Sequence, residues 1–435
     1  MTSLYAREAR SVSSLAHLRF FPLALTGGVG ALLRDETGRE VIDFAASWGA
    51  VGLGHAHPAV REAVGRALSD QAGASYLSTA NLPAIELAET LLALVPERAR
   101  GRVWFGHSGS DANETAARIV TAATGRPRIL AFAGAYHGGT VGSAAISGHP
   151  SQSTPKAPGL MLVPYPNTYA DGEKAGEAAL AEIDRLFAGP VPPEEVAAFF
   201  IEPIQSDGGM LVPPETFFRE VEKRCRAHGI LLVSDEVKVG LGRTGSLHGF
   251  AQWNIEPDMV VLGKGLGNGL PISALIGPEA VMNFAPAFAF QTLHGNPVCA
   301  AAGLAVIETI RREGLAEQAA ETGRFLREGL EALRECHALI GDVRGRGLAL
   351  GVELVVDCTT REPAREATAL GVLRAFELGL CVFYVGTGSN VIELTPPLTL
   401  SRSEAERGLD ILDRSLRDVA EGRVSPAALE AFAGW

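Results

Sequence analysis

Three short apolar runs that end on a charged residue constrain this chain more than any other feature: Ala197-Ala-Phe-Phe-Ile-Glu202, Ile230-Leu-Leu-Val-Ser-Asp235 and Met259-Val-Val-Leu-Gly-Lys264. None alternates with polar residues, so none suits a strand with one face in water. Such runs suit strands covered on both faces, as in a mostly parallel sheet flanked by helices. Val103-Trp-Phe and Arg128-Ile-Leu-Ala-Phe-Ala read the same way, the first leading through Gly106-His-Ser-Gly-Ser110 into a helical segment. In sheets of this kind ligand groups gather beyond the carboxyl ends of the strands. Ser108, Glu202, Asp235 and Lys264 all stand at or just past such ends. The expected fold class is α/β.

With 435 residues the chain has length for two or three domains, and 47% hydrophobic with 20% charged residues is the balance of an ordered globular protein. Alternating apolar positions on either side of Asp35-Glu-Thr-Gly38 predict a β-hairpin. Gly27-Gly28-Val-Gly30 has no helix behind it and is not a dinucleotide loop. A surface helix and loop are expected between about residues 167 and 195. A long helical stretch follows Asn296 to about residue 333, and strands at 348–355, 380–384 and 390–394 alternate with helices after it. The expected division is an N-terminal segment (1–57) packing with a small domain, a large α/β domain (58–304) and a small C-terminal α+β domain (305–435).

Lys plus Arg number 38 against 50 Asp plus Glu, a net charge of −12, which argues against nucleic acid or an anionic membrane as partner. The five cysteines are scattered without metal-ligand spacing, so no metal and no disulfide is expected. No run approaches the roughly 20 apolar residues of a membrane span, and the expected location is the cytoplasm.

Lys264 is fenced by Gly263, Gly265, Gly267 and Gly269, which leave room for a bulky planar ligand. A lysine in an apolar pocket is the better nucleophile because burial disfavours its charged form. Asp235 opposite it could keep a ring nitrogen protonated. The pair suits pyridoxal 5'-phosphate (PLP), with Lys264 as Schiff-base lysine. Ser108-Gly109-Ser110 at a helix start offers N–H groups and hydroxyls to a phosphate, although plain helix capping explains the pattern equally well. Tyr136 could stack on a cofactor ring or fill the core, and Thr292 could add a hydroxyl to a phosphate.

Together these pieces resemble the class III aminotransferases of PLP fold type I: SGSDANETA at 108–116, AYHG at 135–138, FIEPIQSDGG at 200–209, GKGLGNGLP at 263–271 and HGNP at 294–297. The resemblance implies a large domain with a mostly parallel seven-stranded sheet, a smaller α+β domain, and a homodimer with active sites at the subunit interface. It implies Lys264 as Schiff-base lysine, Asp235 as pyridinium partner, Tyr136 as stacking ring and Ser108, Gly109 and Ser110 at the phosphate. Thr292 would reach the phosphate of the neighbouring subunit. Gln205 is a further candidate cofactor contact, and Trp48 and Tyr76 are candidate substrate contacts.

Three departures narrow the chemistry. Glu393 stands where the family carries an arginine for a substrate carboxylate, and a glutamate repels an anion. Asp207 follows Gln205-Ser in place of the usual Gly-Glu, and Lys238 replaces a glutamine after Asp235-Glu-Val. The chain is thereby similar to racemases of α-amino-ε-caprolactam and amino acid amides, as it is at NVIELTPPLT (390–399) and in the terminal FAGW. That likeness implies a neutral amide or lactam substrate bound near Glu393. Lys264 would remove the α-proton and Asp207 would serve the opposite face, with Lys238 as its charge partner. The competing readings are an ω-aminotransferase on the same scaffold and, for Asp207, a carboxylate that only shapes its loop.

Overall fold

The computed structural model describes residues 3–430 and 432, apart from 71 and 153, so residues 433–435 of the terminal motif lie outside the described residues. Strands β1 (Leu25–Val29), β2 (Leu32–Asp35) and β3 (Glu40–Asp43) form an antiparallel meander. The expected hairpin is the β2–β3 pair. Asp35 Oδ1 closes its turn by accepting the N–H groups of Thr37 and Arg39 at 2.8 and 3.0 Å. Gly27 and Gly28 lie within β1.

The central sheet contains β4 (Arg102–Gly106), β5 (Arg128–Phe132), β6 (Leu160–Val163), β7 (Val196–Ile201), β8 (Leu231–Asp235), β9 (Met259–Leu262) and β10 (Ser273–Gly277). Their order is β4-β10-β9-β8-β7-β5-β6. β10 is antiparallel to β4 and β9, and the other six strands share one direction. The continuous apolar runs follow from this layout. Val260 and Leu262 of β9 join the core on one face, while Met259 and Val261 join the core on the other. The second face is covered by the helix Gly109–Thr124 through Ala112, Ala116, Ile119 and Val120. Strands β6 and β10 fall outside the runs picked out above.

Towards the C-terminus, β11 (Ile340–Arg346), β12 (Ala349–Leu354), β13 (Leu380–Cys381), β14 (Phe383–Val385) and β15 (Val391–Leu394) follow two helices, Pro297–Arg312 and Leu315–Cys336. The single long helix expected there is broken at Gly314, whose φ of +61° no helix accommodates. The strand expected at 380–384 is likewise split at Val382. β14 stays in the antiparallel sheet β11-β12-β15-β14, and β13 pairs parallel with β3 to complete the N-terminal sheet. No helix of the described residues is long and apolar enough to cross a membrane, and the five cysteines are free.

After β3 the chain makes a left-handed turn, with φ of +43°, +52°, +63° and +78° at Ala46, Ser47, Trp48 and Gly49. Each non-glycine residue in this region costs about 1–2 kcal/mol. The turn is over-determined by its neighbours. Asp43 Oδ1 accepts the N–H groups of Ala45 and Ala46 at 2.9 and 2.8 Å, and Asp43 Oδ2 lies 2.8 Å from His55 Nε2. Thr395 Oγ1 donates to Ala45 O. Asp43→Ala leaves two buried donors unsatisfied and should lower stability by roughly 2–4 kcal/mol. A reduced urea midpoint with an unchanged m-value checks this.

Candidate active site

Because the six co-directional strands end on one edge of the sheet, their carboxyl-terminal residues meet there. Asp235 at the end of β8 pairs in register with Val261 of β9, and Ile201 of β7 with Ser234. Adjacent strands are about 4.8 Å apart, so Glu202, Asp235 and Lys264 come within one ligand's reach. They line a cavity of about 370 Å³ together with Ser108, Gly109, Ser110, Tyr136, Asp207 and Lys238. Trp48 lines it too, presented by the left-handed turn.

Asp235 is 4% exposed and both of its oxygens have partners. Asn113 Nδ2 donates to Oδ2 at 2.8 Å, His137 Nδ1 lies 2.8 Å from the same oxygen, and Val237 N–H donates to Oδ1 at 3.0 Å. Neither Asn113 nor His137 was among the expected site residues. Asn113 carried a usable signal: it stands four residues after Gly109 and so points from the same face of the helix. His137 is the neighbour of Tyr136.

Lys264 opens a short 3-10 turn at φ +26°. Burial lowers its pKa and the Lys238 cation adds to that, while Asp207, Asp235 and Glu393 oppose them. Two of the glycines around it are required by close packing of the chain: a Cβ on Gly263 would lie 3.1 Å from Gly109 N, and one on Gly267 would lie 2.9 Å from Ile272. Glu202 is a carboxyl that burial pushes well above its ordinary range, helped by Asp235 and Asp207. Among the described residues its carboxyl accepts one hydrogen bond, from the Tyr136 backbone N–H at 3.3 Å.

At the far end, Ser108 caps the helix Gly109–Thr124 in a capping box with Asp111. Ser108, Gly109 and Ser110 also line the cavity, so the capped helix start borders it. Gly109 lies against Val237, 2.6 Å from any Cβ it might carry, and Ser110 Oγ accepts the Gly139 N–H at 3.1 Å.

Asp207 is 5% exposed on the loop after β7. Gly386 N–H donates to its carbonyl at 2.9 Å, and Arg344 donates twice to Gly209 O at 2.9 and 2.6 Å while paired with Asp342 and Glu353. The loop is thus held by the C-terminal sheet. Tyr136 has its hydroxyl pKa raised by burial and by the Asp207 charge.

Several expected site residues are placed differently. Lys238 is paired not with Asp207 but with Glu393, at 2.7 and 2.9 Å to its two oxygens. Glu393, 1% exposed, is not among the residues lining the cavity and its carboxylate is already occupied, so it is not placed to touch substrate directly. Gln205 is turned to Ala133 O at 2.9 Å. Tyr76 borders a different depression, where its hydroxyl accepts the Phe105 N–H. Thr292 is exposed and lies outside this chain's own cavity.

The mixed seven-stranded sheet, the smaller antiparallel sheet and the lysine at the strand edge define an enzyme of PLP fold type I. Residues 14–416 match the class III aminotransferase family, and the chain belongs to it. It is 39% identical to the alanine/serine racemase of Pyrococcus horikoshii, covering 97% of this chain and 91% of that one. It is 37% identical to the isoleucine 2-epimerase of Lentilactobacillus buchneri, covering 99% and 96%. Among solved structures, an amine transaminase from an uncultivated Pseudomonas species in its PLP-bound form superposes with a TM-score of 0.86 at 30% identity, covering 91% of this chain and 94% of that chain.

The cofactor of this family is pyridoxal 5'-phosphate, and the residues present fit it. The cavity holds an amine of lowered pKa, a buried carboxylate braced by three donors, and a helix start with two serines. Among the described residues, buried Asn113 Oδ1 and His137 Nε2 have no hydrogen-bond partner. A lowered Lys264 pKa means that the neutral amine exists at lower pH than in free lysine. Reconstitution of the apoenzyme with PLP should therefore accelerate with pH around a midpoint below 10.5. Lys238→Met, which removes the neighbouring cation, should move that midpoint upward, as followed by stopped-flow absorbance.

Proposed function

We propose that the protein is a PLP-dependent racemase of α-amino-ε-caprolactam and α-amino acid amides. The observation that carries this reading is that Lys264 and Asp207, from separate elements, line one cavity in which no arginine is among the described lining residues. Bound PLP supplies the electron sink that acidifies the hydrogen on the substrate α-carbon. Lys264, whose pKa burial lowers, would be the base that takes that hydrogen. Asp207 returns one to the opposite face. Of the other lining residues, Trp48 would contact the amide, Tyr136 would stack on the cofactor ring and Asp235 would face the ring nitrogen.

The names of the two relatives support racemisation, and both denote free amino acids. The restriction to amides rests on the lining: the one cation beyond Lys264 that lines the cavity, Lys238, is neutralised by Glu393. The amine transaminase with the same fold supports the alternative, transfer of the amino group to a keto acceptor. The assembly that suits either reaction is a homodimer, in which the exposed loop carrying Thr292 reaches the phosphate end of the neighbouring site.

With PLP alone, L-α-amino-ε-caprolactam should lose its optical rotation without forming a 2-oxo product. A requirement for pyruvate, with stoichiometric oxidised product, would assign the protein to the aminotransferases instead. Asp207→Asn should reduce the racemisation rate about 10²- to 10⁴-fold with the cofactor absorbance retained. Full activity in that variant would remove Asp207 from proton transfer.

A further inference from the structure

The pair Lys238–Glu393 is asymmetric with respect to the cavity. Lys238 lines it, and Glu393, on β15, stands behind the wall. The ammonium lies 2.7 Å from Glu393 Oε1, 2.9 Å from Oε2 and 5.0 Å from the centre of the Trp48 ring. An ammonium has three donors, and Glu393 takes two of them. The carboxylate also accepts the Ser206 hydroxyl on Oε2 at 3.1 Å, and the single Thr395 hydroxyl hydrogen is shared between Oε1 at 3.1 Å and Ala45 O at 3.2 Å. Both partners are more than nine-tenths buried, so water screens neither. A Cβ on Gly49 would lie 3.9 Å from Cδ and Cε of Lys238, so this glycine borders the lysine stem.

We propose that Glu393 is a built-in substitute for a substrate carboxylate. It occupies Lys238, which would otherwise anchor an α-carboxylate, and it thereby selects neutral substrates. This inference rests on the racemase reading for its choice of substrate, but the lock itself is a property of the binding site. An entering carboxylate finds no free cation in this part of the cavity, since Lys238 is already paired with Glu393. An amide or lactam needs none. Ser206, bonded to Glu393, is the neighbour of Asp207, so the same carboxylate also steadies the loop that carries the second proton-transfer group.

Glu393→Gln keeps the shape and the hydrogen bonds to Ser206 and Thr395 while removing the charge. In the PLP-loaded variant, propionate should bind at least tenfold more tightly than to the parent protein, read by titration calorimetry and by the change in cofactor absorbance. The double variant Lys238→Met, Glu393→Gln should lose that binding. The preference for alaninamide over alanine, as a ratio of kcat/KM, should fall at least tenfold in Glu393→Gln. Glu393→Ala should show the same gain of propionate binding if the glutamine variant folds poorly. Unchanged propionate affinity in a folded single variant, or equal binding by the double variant, would overturn the proposal. Propionate binding requires no turnover, so a parent protein that fails to racemise amides while Glu393→Gln gains propionate would sink the racemase reading and leave the lock standing.

Discussion

Everything at this site depends on how the protein keeps carboxyl groups at the buried edge of a parallel sheet. Burying an ionised carboxylate is costly unless hydrogen-bond donors replace the lost water. The strand-end carboxylates differ in the donors they receive. Asp235 has three, two of them side chains committed to it. Glu236 receives the N–H groups of Gly249 and Phe250 and the Ser234 hydroxyl, yet burial still pushes its pKa up to about 7. Glu202 has one long donor bond and is driven well above the ordinary carboxyl range. The sheet edge therefore carries two carboxyls side by side that differ in their hydrogen-bond donors, Asp235 with three and Glu202 with one.

The amines obey the same logic. Lys264 has nearby carboxylates but burial dominates, so its pKa falls and its neutral form becomes available for bond formation and proton removal. Lys238 instead holds a carboxylate with both oxygens in contact. One lysine is kept reactive and the other occupied, and the difference lies in Glu393. On a scaffold shared with the amine transaminase, this cavity thus has its second lysine already paired.

Much of this was legible in the sequence because the continuous apolar runs name the strands and their last residues name the site. Asp235, Lys264, Ser108, Gly109, Ser110, Tyr136, Asp207, Lys238 and Trp48 do face one cavity. What stayed hidden is the pairing between distant segments. Lys238 and Glu393 are 155 residues apart, and nothing local says that the lysine prefers this partner to Asp207. The left-handed turn at 46–49 was equally silent, since Ala-Ser-Trp carries no glycine before Gly49 and the turn is imposed by Asp43 and Thr395. The division of residues 380–385 between two sheets depends on β3, more than three hundred residues earlier, and local β-propensity cannot show it. The glycines after β9 were read as space for a ligand, when close packing against Gly109 and Ile272 accounts for two of them.

The central claim is that two separate groups, Lys264 and Asp207, serve opposite faces of one α-carbon. Its most direct test follows hydrogen isotopes during early turnover of an undeuterated L-amide in D2O, with enantiomers separated and analysed by mass. Two-group exchange predicts that the D product carries deuterium at the α-carbon from the first turnover, while the remaining L substrate keeps its protium. A D product that retains substrate protium would show one group shuttling the same hydrogen across both faces, and would contradict the account.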